Sequence, residues 1–160
     1  MYVKEFEIRW ADLDANRHVA NSSFVDMLSE TRMSFLREHG VTQQYFEEHG
    51  IGPVIFSEEL FYIKEIKANE KIKISLELLA NSADGKYTKF SHCIFNAEQK
   101  LSVYSITFFG WFNLAQRKLI EPPVEIKELF DHMAKAEGYE LLPDPVSLKN
   151  PRIPFGKTLP

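Results

Sequence analysis

The hydrophobic period of this chain switches from helical to alternating partway along, and that switch constrains the fold more than any other feature. Phe6-Glu7-Ile8-Arg9-Trp10 alternates apolar and polar residues, which predicts a strand over Tyr2–Trp10. From Phe24 the spacing becomes helical: Phe24, Val25, Met27, Leu28, Met33, Phe35 and Leu36 form a broad apolar surface, and Gly40 is a fitting terminator. Such a helix is expected to be buried over much of its circumference, with Ser22 or Ser23 as its N-cap. Thr42–His49 reads as a second short helix, stopped by Gly50, Gly52 and Pro53.

Beyond Pro53 the period becomes two. Val54–Lys67 is strand-like, and Ile72, Ile74, Leu76 and Leu78 alternate with Lys71, Lys73, Ser75 and Glu77. Asp84-Gly85 predicts a turn into a strand over Lys86–Asn96, and Asn96–Lys100 predicts another turn into Leu101–Leu114. Pro122-Pro123 opens a last predicted helix, Val124–Glu137, ending at Gly138. One strand, one long helix and then four consecutive antiparallel strands point to an α+β architecture. A curved antiparallel sheet of about five strands wrapped around the long helix buries both apolar faces. Residues 1–140 read as a single domain and residues 141–160 as a proline-rich tail, with Pro143, Pro145, Pro151, Pro154 and Pro160 excluding regular structure.

Bulk properties exclude several functional classes. The chain has 160 residues and a net charge of −4 without any basic block, which argues against nucleic acid or an anionic membrane surface as a partner. No apolar run approaches the roughly 20 residues that span a bilayer, and the first residues lack the apolar core of a signal peptide. The lone Cys93, expected in the core, excludes an internal disulfide and fits a reducing, cytoplasmic setting. His39 and His49 precede glycines at helix ends and read as structural, and neither His92 nor His132 has metal-ligand spacing around it. No metal or cofactor motif is present.

The chemistry concentrates between the first strand and the long helix. Asp12, Asp14, Asn16, His18 and Asn21 fall within ten residues, next to the free backbone N–H groups and positive dipole end of a helix start. A carboxylate there can activate water or attack a carbonyl, and N–H groups at a helix start can stabilise an oxyanion. An Asp in a turn also commonly hydrogen-bonds its own backbone, a role that suits Asp12 better than Asp14.

The run Arg9-Trp10-Ala11-Asp12-Leu13-Asp14-Ala15-Asn16-Arg17-His18-Val19-Ala20-Asn21 resembles the hotdog-fold thioesterases, in the 4-hydroxybenzoyl-CoA thioesterase branch and the related acyl-ACP thioesterases. Ser29-Glu30-Thr31-Arg32 is similar to the Glu-x-Arg of the family's central helix, and the order of elements fits as far as about Leu119. The resemblance implies a hotdog fold and hydrolysis of an acyl-CoA or acyl-ACP thioester without a cofactor. It further implies Asp14 as catalytic carboxylate with His18 and Asn16 in support. Tyr62-Ile63-Lys64-Glu65 matches a Tyr-x-x-Glu context and adds Glu65, expected on a strand. Asn21, Ser22, Ser23 and Phe24 are the candidate substrate-binding residues. Ala20 and Phe24 stand where relatives often have Asn and Tyr, and Ile66 where the acyl-ACP group often has Cys, so a Cys nucleophile is not available there. The resemblance also implies a homodimer or tetramer. A non-catalytic acyl-CoA or acyl-ACP binding protein on the same fold is the alternative. A hotdog hydratase fits less well, because its Asp-x-Asn-Pro-x-His pattern has one more residue than Asp14–His18 and Pro where Arg17 stands.

Overall fold

A computed structural model describes residues 1–144 and 146. Strand β1 (Tyr2–Glu7) leads through a 3-10 turn (Trp10–Asp12) to helix α1 (Asn21–Glu38) and helix α2 (Gln43–His49). Strands β2 (Ile51–Tyr62), β3 (Lys71–Asn81), β4 (Tyr87–Phe95) and β5 (Leu101–Asn113) follow. A two-residue strand β6 (Lys118–Leu119), helix α3 (Val124–Asp131) and strand β7 (Lys135–Leu141) complete the described order. The sheet runs β1-β3-β4-β5-β2, with β6 added to β5 and β7 to β3. Its path is antiparallel throughout and α1 packs across one face, which is the hotdog arrangement.

Alternation explains how the sheet holds its helix. On β3, Ile72, Ile74, Leu76 and Leu78 are fully buried. A one-residue slip would turn all of them outward, so the register is strongly specified. On α1 the buried residues lie on one side (Ser23, Phe24, Met27, Leu28, Thr31, Arg32, Ser34, Phe35 and Leu36), while Ser22, Val25, Asp26, Ser29 and Glu30 are exposed. The helix is therefore half-buried rather than buried over most of its circumference.

The apolar core is in two parts. One gathers Phe35, Leu76, Phe90, Phe109 and Trp111, and the other Phe24, Leu28, Ile74, Ile94 and Val103. Between them, inward-facing positions carry polar groups: Arg32 on α1, Glu58 on β2, His92 on β4, and Ser105 and Thr107 on β5. The Arg32 guanidinium meets Glu58 Oε1 at 2.9 Å and donates to Thr107 Oγ1 at 2.9 Å, and Thr107 donates to Glu58 at 3.2 Å. His92 is fully buried and, among the described residues, neither ring nitrogen has a hydrogen-bond partner. Burial, reinforced by the Arg32 charge, pushes its pKa from 6.5 down to about 3. The unfolded chain therefore binds a proton below pH 6.5 that the folded chain refuses. Stability is full above that pH and falls by about 1.4 kcal/mol per unit on acidification toward the folded value. Urea titrations at a series of pH values should show this slope, and His92→Leu should flatten it.

Several elements differ from the sequence expectations. Strand β1 stops at Glu7, because the Asp12 carboxylate accepts from the backbone N–H and side chain of Arg9 and turns the chain. Helix α1 begins at Asn21 with Ala20 as N-cap, while the Ser23 hydroxyl donates to the Asp12 carbonyl at 3.0 Å. Neither Ser22 nor Ser23 is the cap. Strand β2 ends at Tyr62, where the N–H groups of Ile63 and Lys64 both turn to the Ser102 carbonyl. Glu65 consequently lies in a loop. The last helix stops at Asp131, six residues early, and Lys135 Nζ donates to the Phe130 and Asp131 carbonyls.

The chain then pairs in parallel with β3, lying end to end with β1 along the same edge. Gly138, at φ 80°, sits in the excursion between the Leu78 and Ala80 pairings. Cys93 is half-buried rather than in the core. Leu101–Phe112 alternates buried Val103, Phe109 and Trp111 with half-buried Tyr104, Phe108 and Phe112. The tail prolines at 145, 151, 154 and 160 lie outside the described residues.

Candidate active site

The loop between the 3-10 turn and α1 is closed by its own carboxylate. Asp14 Oδ1 accepts from Asn16 N–H at 2.8 Å and His18 N–H at 3.1 Å, while Asp14 N–H donates to the His18 carbonyl at 2.8 Å. Arg17 takes a left-handed conformation, φ 62°, to complete the turn. The His18 N–H bond, more than any other contact, holds the Asp14 carboxyl below its ordinary 3.8. Asp14 is exposed and ionised at neutral pH, and both backbone N–H groups of the turn go to Oδ1.

This loop is stitched to the segment after β2. Val19 N–H donates to the Ile66 carbonyl at 2.9 Å, and His18 bridges Lys67 through the backbone. The stitching brings Glu65 to His18, with Oε2 3.2 Å from Nε2, while Oε1 meets Lys67 Nζ at 3.2 Å. A cleft of about 450 Å³ opens between the two segments. Asp14, His18, Ala20, Asn21 and Phe24 line one side, and the run from Tyr62 to Ile66 lines the other. The rings of Phe24 and Tyr62 face each other across it at 5.8 Å.

Five of the eight candidate residues thus meet at one cleft: Asp14, His18, Glu65, Asn21 and Phe24. Asn16 is exposed and contributes its backbone N–H to the Asp14 turn. Ser22 is exposed, with its N–H donating to Asn21 Oδ1, and Ser23 is buried behind the wall. At the helix start, the Ser23 N–H donates to the Ala20 carbonyl. The Asn21 N–H, by contrast, has no partner among the described residues, and Asn21 lines the cleft.

Sequence reasoning passed over Lys64 and Tyr62 as wall residues, although both lie in the run that pointed to Glu65. Asp12 is architecture: it is buried, and the Arg9 guanidinium holds its carboxyl below the usual range. Glu30 meets Arg37 and Lys4 on the surface, and Arg32 belongs to the polar layer, so the helix Glu-x-Arg stays out of the cleft. His39, His49 and His132 each donate Nδ1–H to the carbonyl four residues earlier, which is structural work.

Fold and cleft together define a hotdog protein with Asp14 before its central helix and Glu65, from the loop after β2, lining the same cleft. A family model described as the Thioesterase-like superfamily matches residues 8–130, and the chain belongs to that superfamily. Solved structures share the fold. A Staphylococcus aureus protein in complex with CoA has 15% identity and a TM-score of 0.76, covering 81% of this chain and 81% of its own. The DHNA-CoA thioesterase of Staphylococcus aureus has 19% identity and a TM-score of 0.73, covering 81% of this chain and 87% of its own. A 1,4-dihydroxy-2-naphthoyl-CoA thioesterase from Synechocystis has 17% identity and a TM-score of 0.74, with 82% and 96% covered. No curated protein matches the sequence. Among the described residues no helix is long and apolar enough to cross a membrane, and no group of three or more His, Cys, Asp or Glu could hold a metal ion.

Proposed function

We propose that this protein hydrolyses acyl-CoA thioesters at the cleft between α1 and the end of β2. The observation that carries this reading is the meeting of Asp14, His18 and Glu65, drawn from two segments, beside the free N–H of Asn21. Water adds to the thioester carbonyl and gives up its proton to a carboxylate, with Asp14 as that base. The Asn21 N–H stabilises the oxyanion that forms. Collapse breaks the C–S bond, and the thiolate leaves with a proton to give free acid and thiol. His18 and Glu65 orient the water and return the proton. The CoA complex of one structural neighbour and the CoA thioesterase names of two others support a CoA carrier over an acyl-ACP.

A panel of aliphatic and aromatic acyl-CoA esters, followed by thiol release, tests the reading, and turnover of at least one class is expected. The tying of Asp14 Oδ1 to its own turn favours a second reading, an acyl-CoA binding protein without turnover. Tight binding of the same esters with no thiol released would select it.

Strand β2 supports a homodimer. It is the terminal strand of the sheet path and twelve residues long, with Val54, Ile55, Phe61 and Tyr62 exposed. A long apolar edge of this kind recruits another strand. Pairing through β2 would place Tyr62, and with it the cleft, near the junction of the two chains. Light scattering should give twice the 18.6 kDa of one chain or more, and an 18.6 kDa species at micromolar concentration would overturn the dimer.

A further inference from the structure

We propose that Lys67 is a positioning residue for the cleft: by taking Glu65 Oε1 it aims Oε2 at His18 Nε2 and so fixes which ring nitrogen carries the proton. This rests on the thioesterase reading above, through His18 and Glu65. Lys67 is outside the residues that line the cleft and reaches it through that carboxylate. Its Nζ is 3.2 Å from Oε1, and Oε2 is 3.2 Å from Nε2. A carboxylate can only accept, so Nε2 is the donor in this contact, and the neutral ring keeps its lone pair on Nδ1. The other charged or titratable groups lining the cleft are Asp14, Tyr62 and Lys64.

The backbone puts the three side chains on one face. His18 and Lys67 are opposed in an antiparallel bridge, and residues opposed in this way project to the same side. Glu65 precedes Lys67 by two residues, with buried Ile66 between two exposed neighbours, so Glu65 shares that side. Lys67 is anchored from further elements. Its N–H donates to Glu70 Oε1 at 2.9 Å, and Glu70 Oε2 accepts from the Ala97 N–H at 3.2 Å in the turn between β4 and β5. The Glu70 carbonyl accepts from the Ile8 N–H, just after β1. On the other side, the His18 N–H is held by Asp14 Oδ1. A run of contacts thus leads from Ala97 through Glu70, Lys67 and Glu65 to the loop that carries Asp14. The side chains of Glu65 and Lys67 are 53% and 63% exposed, and an ion pair so open adds little to stability. What it decides is the direction of a carboxylate with several rotamers open to it, and with that the tautomer of His18.

The test follows the His18 tautomer by nitrogen NMR and turnover by thiol release in wild type, Lys67→Met and Lys67→Arg. At about pH 9, where an ordinary imidazole is neutral, wild type should show His18 protonated on Nε2, its signal assigned by comparison with His18→Gln. Lys67→Met should show a mixture of tautomers and a kcat about three- to ten-fold lower, with KM and thermal stability unchanged. Lys67→Arg should return both readouts to wild type, since a guanidinium also pairs with a carboxylate. In a Glu65→Gln background Lys67→Met should cost nothing more, because it acts through that carboxylate. If Lys67→Met leaves the tautomer as in wild type, or if wild type is itself a mixture, the positioning role is wrong. A kcat loss that persists undiminished in the Glu65→Gln background would also overturn it. If the tautomer shifts as expected but wild type turns over no thioester, the role of Lys67 stands and the hydrolase reading falls.

Discussion

Asp14→Asn is expected to lower kcat by about 10²- to 10⁴-fold, the usual worth of a positioned general base, with little change in thermal stability. The substitution separates two roles that coincide in this residue. Asp14 Oδ1 accepts two backbone N–H groups, and an Asn side-chain oxygen can accept both of them equally well. The turn therefore keeps its shape while the charge and the second carboxylate oxygen are lost. A purely architectural Asp14 would tolerate the change, so turnover equal to wild type removes it from the mechanism and leaves Glu65, held beside His18, as the base. The pH profile gives an independent reading. The Asp14 carboxyl is held below its ordinary 3.8, chiefly by the His18 N–H, so its carboxylate persists as pH falls and the acid limb of kcat should lie below that value. An acid limb near neutrality would implicate a different group. Thiol-release assays on the purified variant, with thermal unfolding as a control for the turn, measure both.

The parts of this site that could be read from sequence are those whose signal is local. Asp14 to Asn21 lies within one turn and the next helix start, so spacing alone placed its polar groups beside free N–H donors. The alternation of Ile72, Ile74, Leu76 and Leu78 likewise carries its own register. What escaped is non-local. Strand β7 forms because β1 covers β3 as far as Leu76, leaving the edge beyond it to the chain after α3. Nothing within Lys135–Leu141 announces that vacancy, and Gly138 reads as a helix stop when it is the bend of a bulge. Glu65 follows from the resemblance of its Tyr-x-x-Glu context to the acyl-ACP thioesterases, but its contact with His18 depends on β2 ending at Tyr62, which the Ser102 carbonyl decides from another strand. The polar layer is the hardest case: Arg32 and Glu58 sit on separate elements, and each alone reads as an ordinary surface charge.

That layer gives the largest expected effect on stability. Arg32→Ala is expected to cost about 3–5 kcal/mol, the penalty for leaving one charge of a buried pair without its partner. Glu58 would keep the 3.2 Å hydrogen bond from Thr107 but lose the guanidinium at 2.9 Å, and Thr107 would lose its own donor in the same step. Burial already pulls the Arg32 pKa below its ordinary value, with Glu58 opposing that pull, so the guanidinium depends on this neighbour for its place in the core. Replacing both ends by apolar residues of similar length, Arg32→Met with Glu58→Met, should recover most of the loss, since no charge is then buried alone. Urea unfolding with an unchanged m-value measures both variants. A cost below about 1 kcal/mol for Arg32→Ala, as for an exposed pair, would show that water reaches Glu58 in the folded chain. The pair also joins the two elements that frame the cleft, α1 through Phe24 and β2 through Tyr62, and their rings lie 5.8 Å apart. Loss of Arg32 should therefore loosen the cleft walls before the sheet opens, and hydrogen exchange should show it first at the start of α1 and the end of β2.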